Sequence, residues 1–151
     1  MLRAKWVALG ALVVLAVGWL IVGMATVRLP SREVDVGSEK PFSDFIGREY
    51  EVISSVSALA WNDFPDKDKI LEIVLTPPPL TRNRFVSSVT RLPLGQRVRI
   101  IAARRRVSVS GVSYHFIVSV PGQELPEGVP IEIDINRDGI PNPTVYAPLG
   151  R

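Results

Sequence analysis

The sequence predicts one small, mainly β domain behind an N-terminal transmembrane helix, the β part being a small antiparallel barrel or sandwich. Three observations predict it. Residues 6–27 form a run of 22 without a charge. From residue 49 to 135, apolar and polar side chains alternate with a period of two, punctuated by turn residues at roughly 8–12-residue intervals, the pattern of an all-β domain. Beyond residue 27 no stretch carries the 3.6-residue period of a long amphipathic helix.

Composition sets the frame. The chain has 151 residues, and about 110 remain for a folded domain once the apolar run and a polar stretch after it are set aside, enough for one modest core. With no cysteine there are no disulfides, no thiol nucleophile and no Cys-based zinc or iron–sulfur centre. The net charge of +3 is mild, and Arg3 and Lys5 belong to the N-terminal flank, so nothing points to nucleic acid as a partner.

The apolar run, WVALGALVVLAVGWLIVGMATV, is bounded by Lys5 on one side and Arg28 on the other. As a helix it is ~33 Å long against a hydrocarbon core of ~30 Å. The run exceeds the apolar region of a cleaved signal peptide, roughly 7–15 residues, so it reads as an uncleaved signal-anchor. Cleavage after Gly23-Met24-Ala25 is the alternative. A short positive head before a first apolar segment is the export pattern, which leaves 1–5 inside and everything from Arg28 outside.

Residues 28–40 (RLPSREVDVGSEK) are polar and follow neither period, so they read as a tether, with the β domain spanning 41–151. Residues 42–47 fit one helical turn, with Ser43 as N-cap and Gly47 as its left-handed stop. Residues 49–59 form a first strand, with Tyr50, Val52, Ser54 and Val56 on one face. After a charged turn, 69–76 (KILEIVLT) is apolar enough for a central strand. Three prolines at 77–79 end it and force a loop before a strand at 84–92. Strands at 96–109 and 112–120 make a hairpin closed by Ser110-Gly111, with Val112, Tyr114, Phe116, Val118 and Val120 inward. A last strand at 129–135 turns Val129, Ile131, Ile133 and Ile135 one way and Glu132 and Asp134 the other.

Directly after that strand comes Asp134-Ile135-Asn136-Arg137-Asp138-Gly139-Ile140-Pro141-Asn142. These nine residues resemble the calcium loops of EF-hands, dockerins and thrombospondin type 3 repeats, where oxygens at alternate positions face a hard cation and a glycine permits the bend. The resemblance implies side-chain ligands from Asp134, Asn136 and Asp138, a carbonyl from Ile140 and a further contact from Asn142, with calcium as the cofactor. It departs from those loops at Val145, where they carry a bidentate carboxylate. The competing reading is a β-turn with Asp134 and Asn136 capping backbone groups.

Other candidates are sparser. His115 is the single histidine and falls with Ser113, Ile117 and Ser119 opposite the apolar row, as a surface residue. Arg104, Arg105 and Arg106 form the densest positive run and are the candidate contact for an anionic polymer or envelope protein. Alternate arginines point to opposite faces of a strand, so the run is not one patch. The proline run is a rigid loop, and Trp61 with Phe64 is either an aromatic contact or an end cap.

Taken whole, with Phe45-Ile46-Gly47-Arg48-Glu49-Tyr50 opening the domain, the chain resembles small bacterial envelope proteins that place one β domain behind a signal-anchor and have no assigned activity. That implies a single-pass protein of the bacterial inner or plasma membrane with its C-terminal domain extracytoplasmic. The expected function is a non-catalytic binding or structural module. The alternatives are a calcium-stabilised adhesion module, or a hydrolase of envelope polymers using carboxylates such as Asp44, Asp63, Asp66 or Asp134.

Overall fold

The computed structural model describes residues 32–63, 66, 68–79, 85–135 and 139–150. The run at 6–27 lies outside them, and among the described residues no helix is long and apolar enough to cross a membrane. The described part is mainly β. Nine strands form one sheet: β1 (Arg32–Asp35), β2 (Glu49–Val52), β3 (Val56–Asn62), β4 (Ile70–Thr76), β5 (Val86–Leu92), β6 (Arg97–Ser108), β7 (Gly111–Ser119), β8 (Ile131–Asp134) and β9 (Tyr146–Pro148). Their order is β5-β3-β4-β8-β7-β6-β2-β9, with β1 paired to the far half of β6.

The expectation of an antiparallel barrel or sandwich is corrected on two counts. β8 runs parallel to β4, so the sheet is mixed, and it does not close, leaving β5 and β9 as its ends. The cause lies in residues 120–130, which hold Pro121, Gly122, Pro126, Gly128 and Pro130. That connection is long enough for the chain leaving β7 to come back antiparallel to it and beside β4, in the same direction as β4.

One face of the sheet carries the core, where Ile73 and Leu75 of β4, Ile100 of β6, Phe116 and Val118 of β7 and Ile133 of β8 are buried together. Cross-strand register accounts for the grouping: Leu75 lies opposite Ile133, Ile133 opposite Phe116, and Ile100 opposite Val118. A bulge between Ile100 and Ala102 lets Ile101 out to solvent and returns Ala103 to the core.

Three local expectations change. The strand expected over 49–59 is two, because the chain leaves β2, beside β6 and β9, and enters β3, beside β4 and β5. Tyr50, Val52 and Val56 are all buried in one core, so the period of two runs across the break and hides it. The helical turn is a short 3₁₀ segment, Phe42–Asp44, that follows Pro41 with no side-chain cap, so Ser43 is not the N-cap, while Gly47 does turn left-handed at φ +84°. Within the segment expected as a tether, residues 32–35 pair with β6 and Val36 is fully buried.

Candidate functional site

The opposite face of the sheet gathers a cluster of charge. β6 carries Arg104 and Arg106 there; β1 brings Glu33, β4 Glu72, β8 Glu132 and β7 His115 with Ser113. The sheet's own register assembles it, since Arg106 lies opposite both Glu33 and Ser113, and Arg104 opposite His115.

Arg106 is its centre. Its Nε donates to Glu33 Oε1 at 2.9 Å, and its Nη2 lies 2.6 Å from Glu72 Oε2 and 3.0 Å from Glu132 Oε1. Arg104 Nη1 reaches the other Glu33 oxygen at 3.1 Å, so one carboxylate spans two guanidinium groups and ties β1 to β6. Three carboxylates thus face two guanidinium groups.

Glu132 is 1% exposed. Burial, with the Glu72 carboxylate beside it, pushes its pKa up, and Arg106 and His115 do not offset this. Burial acts on Glu33 in the same direction, but hydrogen bonds and charge from Arg106 and Arg104 outweigh it and hold its carboxyl below the usual range. Burial works against the charge of Arg106, and Glu132, Glu33 and Glu72 reverse that, so its pKa is raised.

A second line runs through His115. Its Nε2 is 2.9 Å from Ser113 Oγ, and its Nδ1 is 3.7 Å from Glu132 Oε2. Hydroxyl, imidazole and carboxylate therefore follow one another in the order of an acid–base relay. The carboxylate step exceeds hydrogen-bond length, and Ser113 sits within a regular ladder opposite Arg106, not on a strained elbow.

The residues singled out from sequence distribute as follows. Arg104 and Arg106 share the charged face, and Arg105 goes to the other side, opposite Tyr114. His115, expected at the surface, is largely enclosed in the cluster. Asp134 ends β8 opposite His115, while Asn136 and Asp138 lie outside the described residues. Ile140 is half-buried. Asn142 Oδ1 accepts from the Thr144 N–H and hydroxyl at 3.0 and 2.8 Å, a local turn contact. Val145, at the position where a calcium loop has its bidentate carboxylate, is in the core. A bridge between Ile135 and Pro141 closes the loop, and Gly139, at φ +75°, fits where a Cβ would stand 3.3 Å from Pro41.

Three of the carboxylates proposed for hydrolysis have local partners: Asp44 pairs with Lys40, Asp63 with Lys69 at 3.1 Å, and Asp66 accepts from the Asp68 N–H. Among the described residues no group of three or more His, Asp or Glu is placed to hold a metal ion. Sequence reading missed Glu33, Glu72 and Glu132 as a set. The signal was a lone glutamate in the apolar strand KILEIVLT, which needs a cation once that strand is central. No protein-family model, curated protein or solved structure matches the chain.

Proposed function

We propose that the chain is a single-pass protein of a bacterial envelope membrane, anchored by residues 6–27, whose β domain stands outside and works by binding rather than by catalysis. The observation that supports binding is the open sheet: β5 pairs with β3 alone among the described residues, which leaves its other edge for an added strand. Ser87, Ser88 and Val89 along it are at the surface. Arg104 and Arg106 spend their charge on Glu33, Glu72 and Glu132, so the edge is a better candidate than the basic run for holding an envelope protein. Tethering offsets weak affinity by raising effective concentration. The test places a photo-cross-linking residue at Val89 of the full chain in cells, with Arg97 as control. A discrete adduct from position 89 alone supports the reading; equal, diffuse labelling at both positions overturns it.

One observation favours a second reading, a hydrolase of an envelope polymer: the Ser113–His115–Glu132 line. A serine-directed fluorophosphonate decides it. Labelling lost in Ser113→Ala and His115→Ala supports hydrolysis, and an unlabelled protein ends it.

A further inference from the structure

The β6–β7 hairpin outruns the core. Phe116 and Val118 at its root are buried, yet the same apolar row continues to Tyr114 and Val112, which are 39% and 56% exposed. Across the turn, Val107 is 39% and Val109 80% exposed. Val107 lies directly opposite Val112, so their side chains share one face. Scattered surface valines are ordinary; three valines around one turn, continued by Tyr114, whose ring stacks on Phe42 at 5.1 Å, are a patch. Between Arg106 and His115 the sequence VSVSGVSY has no charge. Its hydroxyls satisfy local groups, Ser108 Oγ lying 2.8 Å from Ser110 Oγ and 3.3 Å from the Gly111 carbonyl.

The chain enters the domain at this same end. β1 runs antiparallel to β6 with Arg32 opposite Val107 and Asp35 opposite Arg104, so β1 starts at the turn and runs away from it. Five peptide steps separate Val27, the last residue of the apolar run, from Arg32. That chain spans at most about 18 Å. β6 runs one residue past the level of Arg32, to Ser108, and the turn at 109–110 lies beyond it.

We infer that the β6–β7 tip is a lipid-contacting wedge, with Val107, Val109, Val112 and Tyr114 seated in the interface of the bilayer that holds residues 6–27. This rests on the membrane-anchored reading above. The composition suits an interface: valines enter the acyl boundary, tyrosine keeps its hydroxyl at headgroup level, and serines tolerate both sides. Exposed Arg32, at the same level, faces the headgroups, where anionic lipid attracts it. Leu94, 71% exposed, is the contrast: it precedes β6, at the other end of that strand's 12 residues, and stands far from the chain's entry.

The wedge holds the domain at two points, the tether and the tip, and so fixes which side faces away from the membrane. The charged cluster and the β5 edge then keep a constant attitude to it.

The chain has no cysteine, so single labels are unambiguous. Full-length Val109→Cys and Leu94→Cys, each carrying an environment-sensitive nitrobenzoxadiazole dye, are reconstituted into phosphatidylcholine–phosphatidylglycerol vesicles. Some vesicles include lipids with a nitroxide near the headgroup. The expected result is a blue-shifted emission at position 109, quenched several-fold more strongly than at 94. Equal, water-like emission at both positions, in a chain that stays with the vesicles through an alkaline wash, overturns the wedge and leaves the anchor standing. A chain that washes off overturns the anchor and the wedge together. A blue shift at 109 that grows with protein density but resists nitroxide quenching assigns the tip to a second copy of this chain, and also overturns the wedge.

Discussion

At the root of the β6–β7 hairpin, Ile100, Phe116 and Val118 belong to the core; at its tip, Val107, Val109 and Val112 are exposed. The residue types and the alternation are the same in both halves. What differs is the company each keeps: β8 accompanies β7 no further toward the tip than His115, and no residue of β7 beyond Phe116 on that side belongs to the core. Alternation reports which side of a strand is apolar. Whether that side is covered depends on how far its neighbours extend.

The largest effect should come from the root. Phe116→Ala removes a ring that meets Phe45 at 5.5 Å and Phe42 at 6.2 Å, and is expected to cost about 3–5 kcal/mol in denaturant unfolding. Next is Arg106, at the boundary between the halves. Arg106→Met leaves Glu72 and Glu132 facing each other without their cation, at a cost of roughly 3 kcal/mol, the low end for a broken buried pair because Arg106 keeps some contact with water.

The pH dependence of stability separates the two kinds of carboxylate in the cluster. Glu132 has a raised pKa in the folded state, so the native protein holds that proton more tightly than the unfolded chain does. Its contribution to stability is full below the unfolded value of about 4.5 and is lost as pH rises through the folded pKa. Glu33 has a lowered pKa, so its contribution is present above about 4.5 and is lost as pH falls through the folded pKa. Glu132→Gln should therefore remove the decline on the alkaline side of 4.5, and Glu33→Gln the decline on the acid side, when urea midpoints are compared across pH.

The smallest effect belongs to the tip. Val109→Ser and Val112→Ser should change stability in solution by no more than about 0.5 kcal/mol, as surface substitutions do. A loss comparable to that of Phe116→Ala at either valine would mean that the tip packs like the root, and would erase the contrast.

The long strands were legible because each combines alternation with a chemical stop: prolines after β4, Ser110-Gly111 between β6 and β7, Pro121-Gly122 after β7. β1 and β9 were not, being four and three residues long, too short to show a period. Both exist because a distant strand accepts them, and nothing local encodes that. The same holds for the cluster. Alternation assigned Glu132 correctly to the side away from the core, but alternation does not tell whether that side is covered. Register brings Arg106, 26 residues earlier, against it.

Glu33 and Arg106 are 73 residues apart in the chain, and that separation sets a schedule. At a synthesis rate of ~5–20 residues per second, β1 leaves the ribosome roughly 4–15 s before the strand it pairs with does. Throughout that interval it is a strand without a neighbour, the state in which nascent chains meet one another. Three charges in the four residues Arg32, Glu33, Val34 and Asp35 make it a poor template for foreign strands while it waits. Glu33, which fastens β1 in the finished domain, is thus also one of the charges that keep it solitary beforehand.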